Sequence, residues 1–305
     1  MTDAARRLRP LKTTWLVLVD SAKAFAAAEP FRLAAALSYY TLLSMAPLLL
    51  IVIGTAGFFF GEGAVRNELI EQIRTLTGED GASLAETVIA NAENLERSIA
   101  SLVLGGGLML FGATTVFAQL QGALNEIWHV KAAPANAVVG FLRHRLLSFA
   151  LILVMGFLLM ISLVTSAVLA ALQAYLGSLE IASITAWQVL NTAVSFGFAV
   201  VLIAMIFKYL PDALIAWRDV WFGAFVTALL FVAGKYLIGL YLGQASIGSA
   251  FGAAGSVVVF MVWVYYAGLI FFFGAEITQA VARHRGERVR PSDHGRPADD
   301  ADGTG

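Results

Sequence analysis

The sequence predicts an all-α polytopic membrane protein, a helix bundle with about six transmembrane helices and both termini in the cytoplasm. Three observations carry this. Of 305 residues, 59% are hydrophobic and 13% charged, with mean hydropathy +0.78, too little charge to cover a soluble domain. Apolar runs near 33–60, 99–119, 146–172, 186–209, 219–242 and 254–278 each approach the roughly 20 helical residues that cross about 30 Å of hydrocarbon. Lys and Arg gather on one side of those runs. Period-2 alternation is absent from them, which disfavours a β-barrel, and helices satisfy their own backbone groups as lipid requires.

Orientation follows from the basic residues. Arg6, Arg7, Arg9, Lys12, Lys23 and Arg32 precede the first span, and Lys131, Arg143 and Arg145 lie between the second and third. Lys208 and Arg218 flank the turn between the fourth and fifth, and Arg283, Arg285, Arg288, Arg290 and Arg296 follow the sixth. The opposite loops hold only Arg66, Arg74 and Arg97. This asymmetry places the termini in the cytoplasm. The first run is too long for a signal-peptide core and should stay in the mature protein.

The chain reads as one membrane domain, 33–280, with short flanks. Residues 1–32 form a cytoplasmic N-terminal segment. Within it Leu11, Trp15, Leu18, Ala22 and Phe25 line one face of an amphipathic helix suited to the membrane interface. The extracytoplasmic loop 61–98 is acidic, with eight carboxylates against three arginines. Val65, Leu69, Ile73 and Leu76 recur there at helical spacing, as do Leu84, Val88, Leu95 and Ile99, with Gly78 and Gly81 between the two patterns. The loop is either a helical hairpin capping the bundle or two extensions of the neighbouring spans. The cytoplasmic tail 281–305, with Pro291, Gly295, Pro297 and several Asp, is expected to be disordered.

Few residues within the spans carry chemistry. Pro47, inside the first span, removes a backbone donor and predicts a kink or hinge. Tyr39, Tyr40 and Ser44, with Ser38 and Thr41, precede it. These hydroxyls either line a polar cavity that contacts substrate or bond neighbouring helices. Lys235 is the one charge deep within a span, about 10 Å from its outer end by helical rise. Such a cation costs about 3 kcal/mol unless it snorkels or finds a partner, so it either contacts an anionic headgroup or reaches outward past Tyr236 and Tyr241. Glu276, near the end of the last span, is expected to form a structural ion pair with Arg32, Arg143 or Arg145, a proton relay being the alternative. Gly252 and Gly255 lie in a glycine-rich entry to that span and serve either close packing or a hinge. Gln119, Gln121, Asn125 and Glu126 before Trp128 and His129 read as a polar elbow with an aromatic anchor.

Several stretches resemble the YihY/BrkB family of bacterial inner-membrane proteins. They are Ala34-Ala35-Ala36-Leu37-Ser38-Tyr39-Tyr40 with Pro47, and Gln121-Gly122-Ala123-Leu124-Asn125-Glu126-Ile127-Trp128. Tyr209-Leu210-Pro211-Asp212, Trp217-Arg218-Asp219-Val220, Gly223-Ala224 and Trp263-Val264-Tyr265-Tyr266 leading to Gly274-Ala275-Glu276 follow in the family's order. Phe251-Gly252 departs from the family's Tyr-Gly. The resemblance implies a six-helix protein of the inner (plasma) membrane. Part of the family carries an old ribonuclease label, and other members are linked to virulence, serum resistance or envelope lipid export. No catalytic residues transfer with it.

The expected function is a transporter or flippase-like protein for an envelope lipid or other amphipathic anion. The alternative is a non-transporting scaffold for envelope integrity, its acidic loop binding partners or cations. An enzyme is not expected. Cysteine is absent, and the four histidines, His129, His144, His284 and His294, are scattered where phosphodiester cleavage needs clustered ligands. No cofactor is implied, and no Walker A loop supplies nucleotide energy. Expected partners are membrane lipids, a further copy of the chain or an envelope protein. Nucleic acid is not expected at a net charge of −1.

Overall fold

The computed structural model describes residues 17, 19–93, 99–132, 184–245, 251, 254–285, 290–292 and 295–297. A short helix, α1, covers 19–27. Glu29 then takes a left-handed conformation (φ 47°) and Pro30 opens α2, Pro30–Phe60. Proline suits that first turn, where its missing N–H has no helical partner and its φ is already set. Helix α2 runs unbroken through Pro47. On the facing helix a Cβ at Gly112 would lie only 2.9 Å from Pro47 Cγ, so glycine lets the two helices close on the proline ring. Ser44 Oγ donates to the Gly112 carbonyl at 2.6 Å beside it. Pro47, expected to act as a hinge, packs here against the helix that carries Gly112.

Gly61 (φ 86°) ends α2, its N–H donating to the Gly57 carbonyl at 2.8 Å. Gly78 (φ 81°) separates α3, Glu62–Thr77, from α4, Glu79–Glu93. Positive φ at both turns suits glycine, which has no Cβ to collide. Loop 61–98 is therefore a helical hairpin over the part described. It folds down onto the bundle, sharing one core of Met45, Leu49, Ile53, Val65, Leu69, Ala85, Ile89, Phe260 and Val264 with α2 and the last helix. The inward faces follow the large-residue pattern in part: Val65 and Leu69 are buried, and Ile73, Leu84 and Val88 pack against this core. Ile70 is buried where Leu76 is exposed, and α4 turns Ala82, Ala85 and Ile89 inward with Leu84 and Val88 at the margin. Small residues let α4 approach closely. Arg74 holds the hairpin's acidic surface together, reaching Glu71 at 2.7 Å and Glu79 at 2.8 Å. Those two carboxylates, Glu71 foremost, push the guanidinium pKa above its ordinary value.

Helix α5, Ile99–Ile127, leads to strand β1, Val130–Ala132, through His129 in a left-handed turn (φ 52°). Then follow α6, Ile184–Tyr209, strand β2, Ala213–Leu214, α7, Trp217–Ala245, and α8, Gly255–His284. Four described helices are long and apolar enough to cross a membrane: Pro30–Phe59, Thr192–Tyr209, Trp217–Gly239 and Gly255–His284. The expected run 99–119 lies in α5, whereas 146–172 falls outside the described residues.

The hairpin marks a cap end. The opposite, basal end gathers α1, the α5–β1 junction, the α6–α7 turn and the C-terminus of α8. Here the described tail residues 290–292 and 295–297 are placed by pairing, where the sequence led to an expectation of disorder. Strand β3, Arg290–Pro291, pairs antiparallel with β2, and β4, Gly295–Pro297, with β1. Backbone bonding outweighs the polar composition. In α1, Ala22 is exposed and Ser21 buried, while Phe25 meets Phe273 edge-on at 5.3 Å. Leu11, Trp15 and Leu18 lie outside the described residues.

Candidate functional site

Helix α8 crosses the bundle's centre, and from Gly274 to Ala282 every residue is buried. A helix enclosed on all sides normally carries only apolar residues. This stretch instead contains Glu276, Thr278 and Gln279, all buried. They belong to a polar cluster at the basal end that also includes Gln121, Asn125, Asp212, Asp219 and Thr227.

Most of the cluster is internally bonded. Gln121 and Asn125, one turn apart on α5, present their amides to one carboxylate oxygen of Asp212, at 3.1 and 2.9 Å. The Asp212 N–H donates back to Asn125 Oδ1 at 2.8 Å, and the Ser292 N–H donates to the Asp212 carbonyl at 3.0 Å. Asp212 thus fastens the α6–α7 turn to α5 and to the tail. Asp219, in the first turn of α7 where the helix dipole favours an acid, accepts from the Arg285 guanidinium. Gln279 Nε2 donates to the Ile127 carbonyl at 2.7 Å, satisfying one of the free carbonyls at the end of α5.

A reciprocal motif joins α7 to α8. Thr227 and Thr278 each bond the carbonyl of the glycine four residues earlier, Gly223 at 2.7 Å and Gly274 at 2.8 Å. A Cβ on Gly223 would collide with Thr278, and one on Gly274 with Thr227. Each threonine therefore sits on the other helix's glycine. The repeated Gly-x-x-x-Thr spacing is visible in the sequence and is the pattern of a small-residue helix interface.

Among the described residues, four buried polar atoms have no hydrogen-bond partner: Glu276 Oε2, Gln279 Oε1, Trp128 Nε1 and Asp219 Oδ2. The first three come from one turn of α8 and the adjoining end of α5. Nearby, an open cleft of about 540 Å³ lies between α1 and α8, lined by Asp20, Lys23, Ala24, Ala27, Ala280, Arg283 and His284. His284 Nε2 stands 3.4 Å from Asp20 Oδ2 across it. Among the described residues no group of three His, Asp or Glu side chains could hold a metal ion.

The residues singled out from sequence do not converge. Tyr39 is exposed on the outside of α2, ring against Tyr40 at 5.5 Å, while Ser44 is buried and spent on Gly112. Ser38 Oγ likewise donates to the Met261 carbonyl at 2.7 Å, joining α2 to α8. Interhelical bonding is thus the outcome for both serines. Lys235, half-buried on α7, lies 5.8 Å over the ring of exposed Tyr236. Gly255 is buried as the first residue of α8, and Gly252 lies outside the described residues. The ion pair expected between Glu276 and Arg32 is not formed. Arg32 sits at the exposed rim, bonded to Glu29 and to Glu126 at 3.0 Å, whereas Glu276 is inside the bundle. Arg143 and Arg145 lie outside the described residues. Trp128 is a buried core residue rather than an interfacial anchor.

The family profile described as virulence factor BrkB matches residues 21–299. A UPF0761 membrane protein of Rhodospirillum centenum is 29% identical over 85% of this chain, and one of Alkalilimnicola ehrlichii is 31% identical over 87%. The chain spans only 56% and 58% of the length of these two relatives. A UPF0761 membrane protein of Legionella pneumophila is 27% identical over 84% of the chain, and no solved structure matches. With most of its length covered by one profile, the chain belongs to the BrkB family of membrane proteins.

Proposed function

We propose that this protein spans the bacterial inner membrane six times with both termini in the cytoplasm, and moves an amphipathic anion such as an envelope lipid across it. The basal end is then cytoplasmic. Its exposed aromatics support a water–lipid boundary there: Tyr209, Trp217 and Trp221 form a consecutive ring cluster, and Lys208 lies 5.6 Å over Trp217.

The observation that carries the reading is Glu276, an ionisable group buried inside a membrane-spanning helix with one oxygen unpartnered. Such groups are costly in a bilayer and mark pathways for substrates or coupling ions. Lys235, beside exposed Tyr236, supplies a cation for a headgroup at the other leaflet. A second reading, a non-transporting scaffold, is favoured by the closed hydrogen bonding of Asp212, Gln121 and Asn125, which fastens elements rather than opening a path.

Reconstitution separates the two. Labelled anionic phospholipid in one leaflet of proteoliposomes is followed by its accessibility to an external quencher. Transport predicts transbilayer exchange above that of empty vesicles, slowed by Lys235→Ala. Folded protein giving no excess exchange would favour the scaffold.

A further inference from the structure

We propose that Glu276 is a proton-binding residue that exchanges with cytoplasmic water through the cleft between α1 and α8, with Gln279 accepting the hydrogen bond of its protonated carboxyl. This deepens the transport reading by naming the coupling ion. It rests on that reading for its purpose, not for its test.

Three observations converge. A carboxyl group held in a dry interior with an unsatisfied oxygen either recruits a cation or carries its own proton, and Glu276 Oε2 is in that position. A candidate acceptor for such a proton lies one helical turn on. Gln279 is three residues on, a spacing that puts the Cβ atoms about 5–6 Å apart on a helix. Its Oε1 is itself buried and unpartnered, while its Nε2 is fixed on Ile127. One proton on Oε2 would satisfy both orphan oxygens. Finally, an opening lies along the same face of α8. Ala280 and Arg283 line the cleft and follow Glu276 by four and seven residues, the spacing of a single helix face. The mouth lies about 10 Å along the axis from Glu276 by helical rise.

The other charged groups around this end of α8 leave the assignment to Glu276. Asp212 is held by Gln121 and Asn125, Asp219 by Arg285, and Glu126 by Arg32. Lys208 donates to the Ile215 carbonyl. Lys23 and Arg283 stand at the cleft, and Asp20 with His284 forms the titratable pair there. Loading forms an O–H bond on Glu276 Oε2 with a proton taken from hydronium in the cleft, leaving water. Release reverses it, and no other bond changes.

Infrared spectroscopy of the wild-type protein in lipid vesicles, titrated with pH, reads this directly. The expected result is a protonated-carboxyl carbonyl band at neutral pH that shifts in D2O, weakens at alkaline pH and is absent from Glu276→Gln. Gln279→Leu should move the band by removing its acceptor, and His284→Ala should slow its exchange severalfold. These variants and the wild-type titration keep the test open if Glu276→Gln fails to fold. Absence of the band at neutral pH, its persistence in folded Glu276→Gln, or its loss on adding Na⁺ at constant pH would overturn the proposal. Lipid exchange in the same vesicles is read separately, so transport can survive the loss of this inference and the inference the loss of transport.

Discussion

At the cap end, Met45, Leu49, Ile53, Leu69, Ala85, Ile89 and Phe260 bury one another, and Thr77 is the single buried polar side chain on the described hairpin. At the basal end the core includes Gln121, Asn125, Asp212, Asp219, Thr227, Glu276, Thr278 and Gln279. The same helices, α2, α5 and α8, reach toward both ends, so the contrast lies in which side chains each end spends. A dry cap needs only shape and removal from water or lipid. Buried polar groups cost free energy unless bonded, and at the base most are bonded while Glu276 Oε2 is not. The cap thus has the chemistry of a closure, and the base that of a site.

Substitutions sharpen the contrast. The largest effect is expected from Asp212→Ala. It strips the acceptor from two buried amides and should cost about 4 kcal/mol, since hydrogen bonds to charged groups contribute roughly 1.5–3 kcal/mol each. The midpoint of denaturation in detergent measures it, and Asp212→Asn, which keeps a carbonyl oxygen, should lose much less. A loss at Asp212 no larger than at an exposed residue would break the picture of a bonded base. At the cap, fully buried Ile89 truncated to Ala should cost about 3 kcal/mol by transfer and cavity terms. That loss should leave any transport rate in intact protein unchanged. Gly223→Ala comes next, at about 2 kcal/mol of overpacking against Thr278. Adding Thr278→Ala should recover part of it, and a double-mutant cycle reads the coupling. Strict additivity would show that the glycine and threonine do not bear on each other.

Much of this architecture was legible in the sequence because lipid imposes simple rules. Apolar length placed the helices of 30–60, 217–245 and 255–284, and Gly78 marked the break between the two halves of the hairpin. The faces were less legible. Large apolar residues suggested Leu84 and Val88 for the inward side of α4, but close approach is decided by what is small, Ala82 and Ala85. The site was least legible, since its partners are distant in sequence. Asp212 meets Asn125 across 87 positions and Gln279 meets Ile127 across 152. Charge alone suggested Arg32 for Glu276, but Glu29, three residues before the arginine, and Glu126 hold it at the rim. Tyr39 and Ser44 are five positions apart on α2, yet one is exposed and the other buried, so they lie on different faces of the helix.

The most direct measurement compares lipid exchange in proteoliposomes carrying wild type, Glu276→Gln and Ile89→Ala at matched amounts of folded protein, with and without an imposed pH gradient. The account predicts gradient-stimulated exchange in wild type and Ile89→Ala, and loss of the stimulation in Glu276→Gln. Equal exchange in all three, or none above empty vesicles, would contradict it.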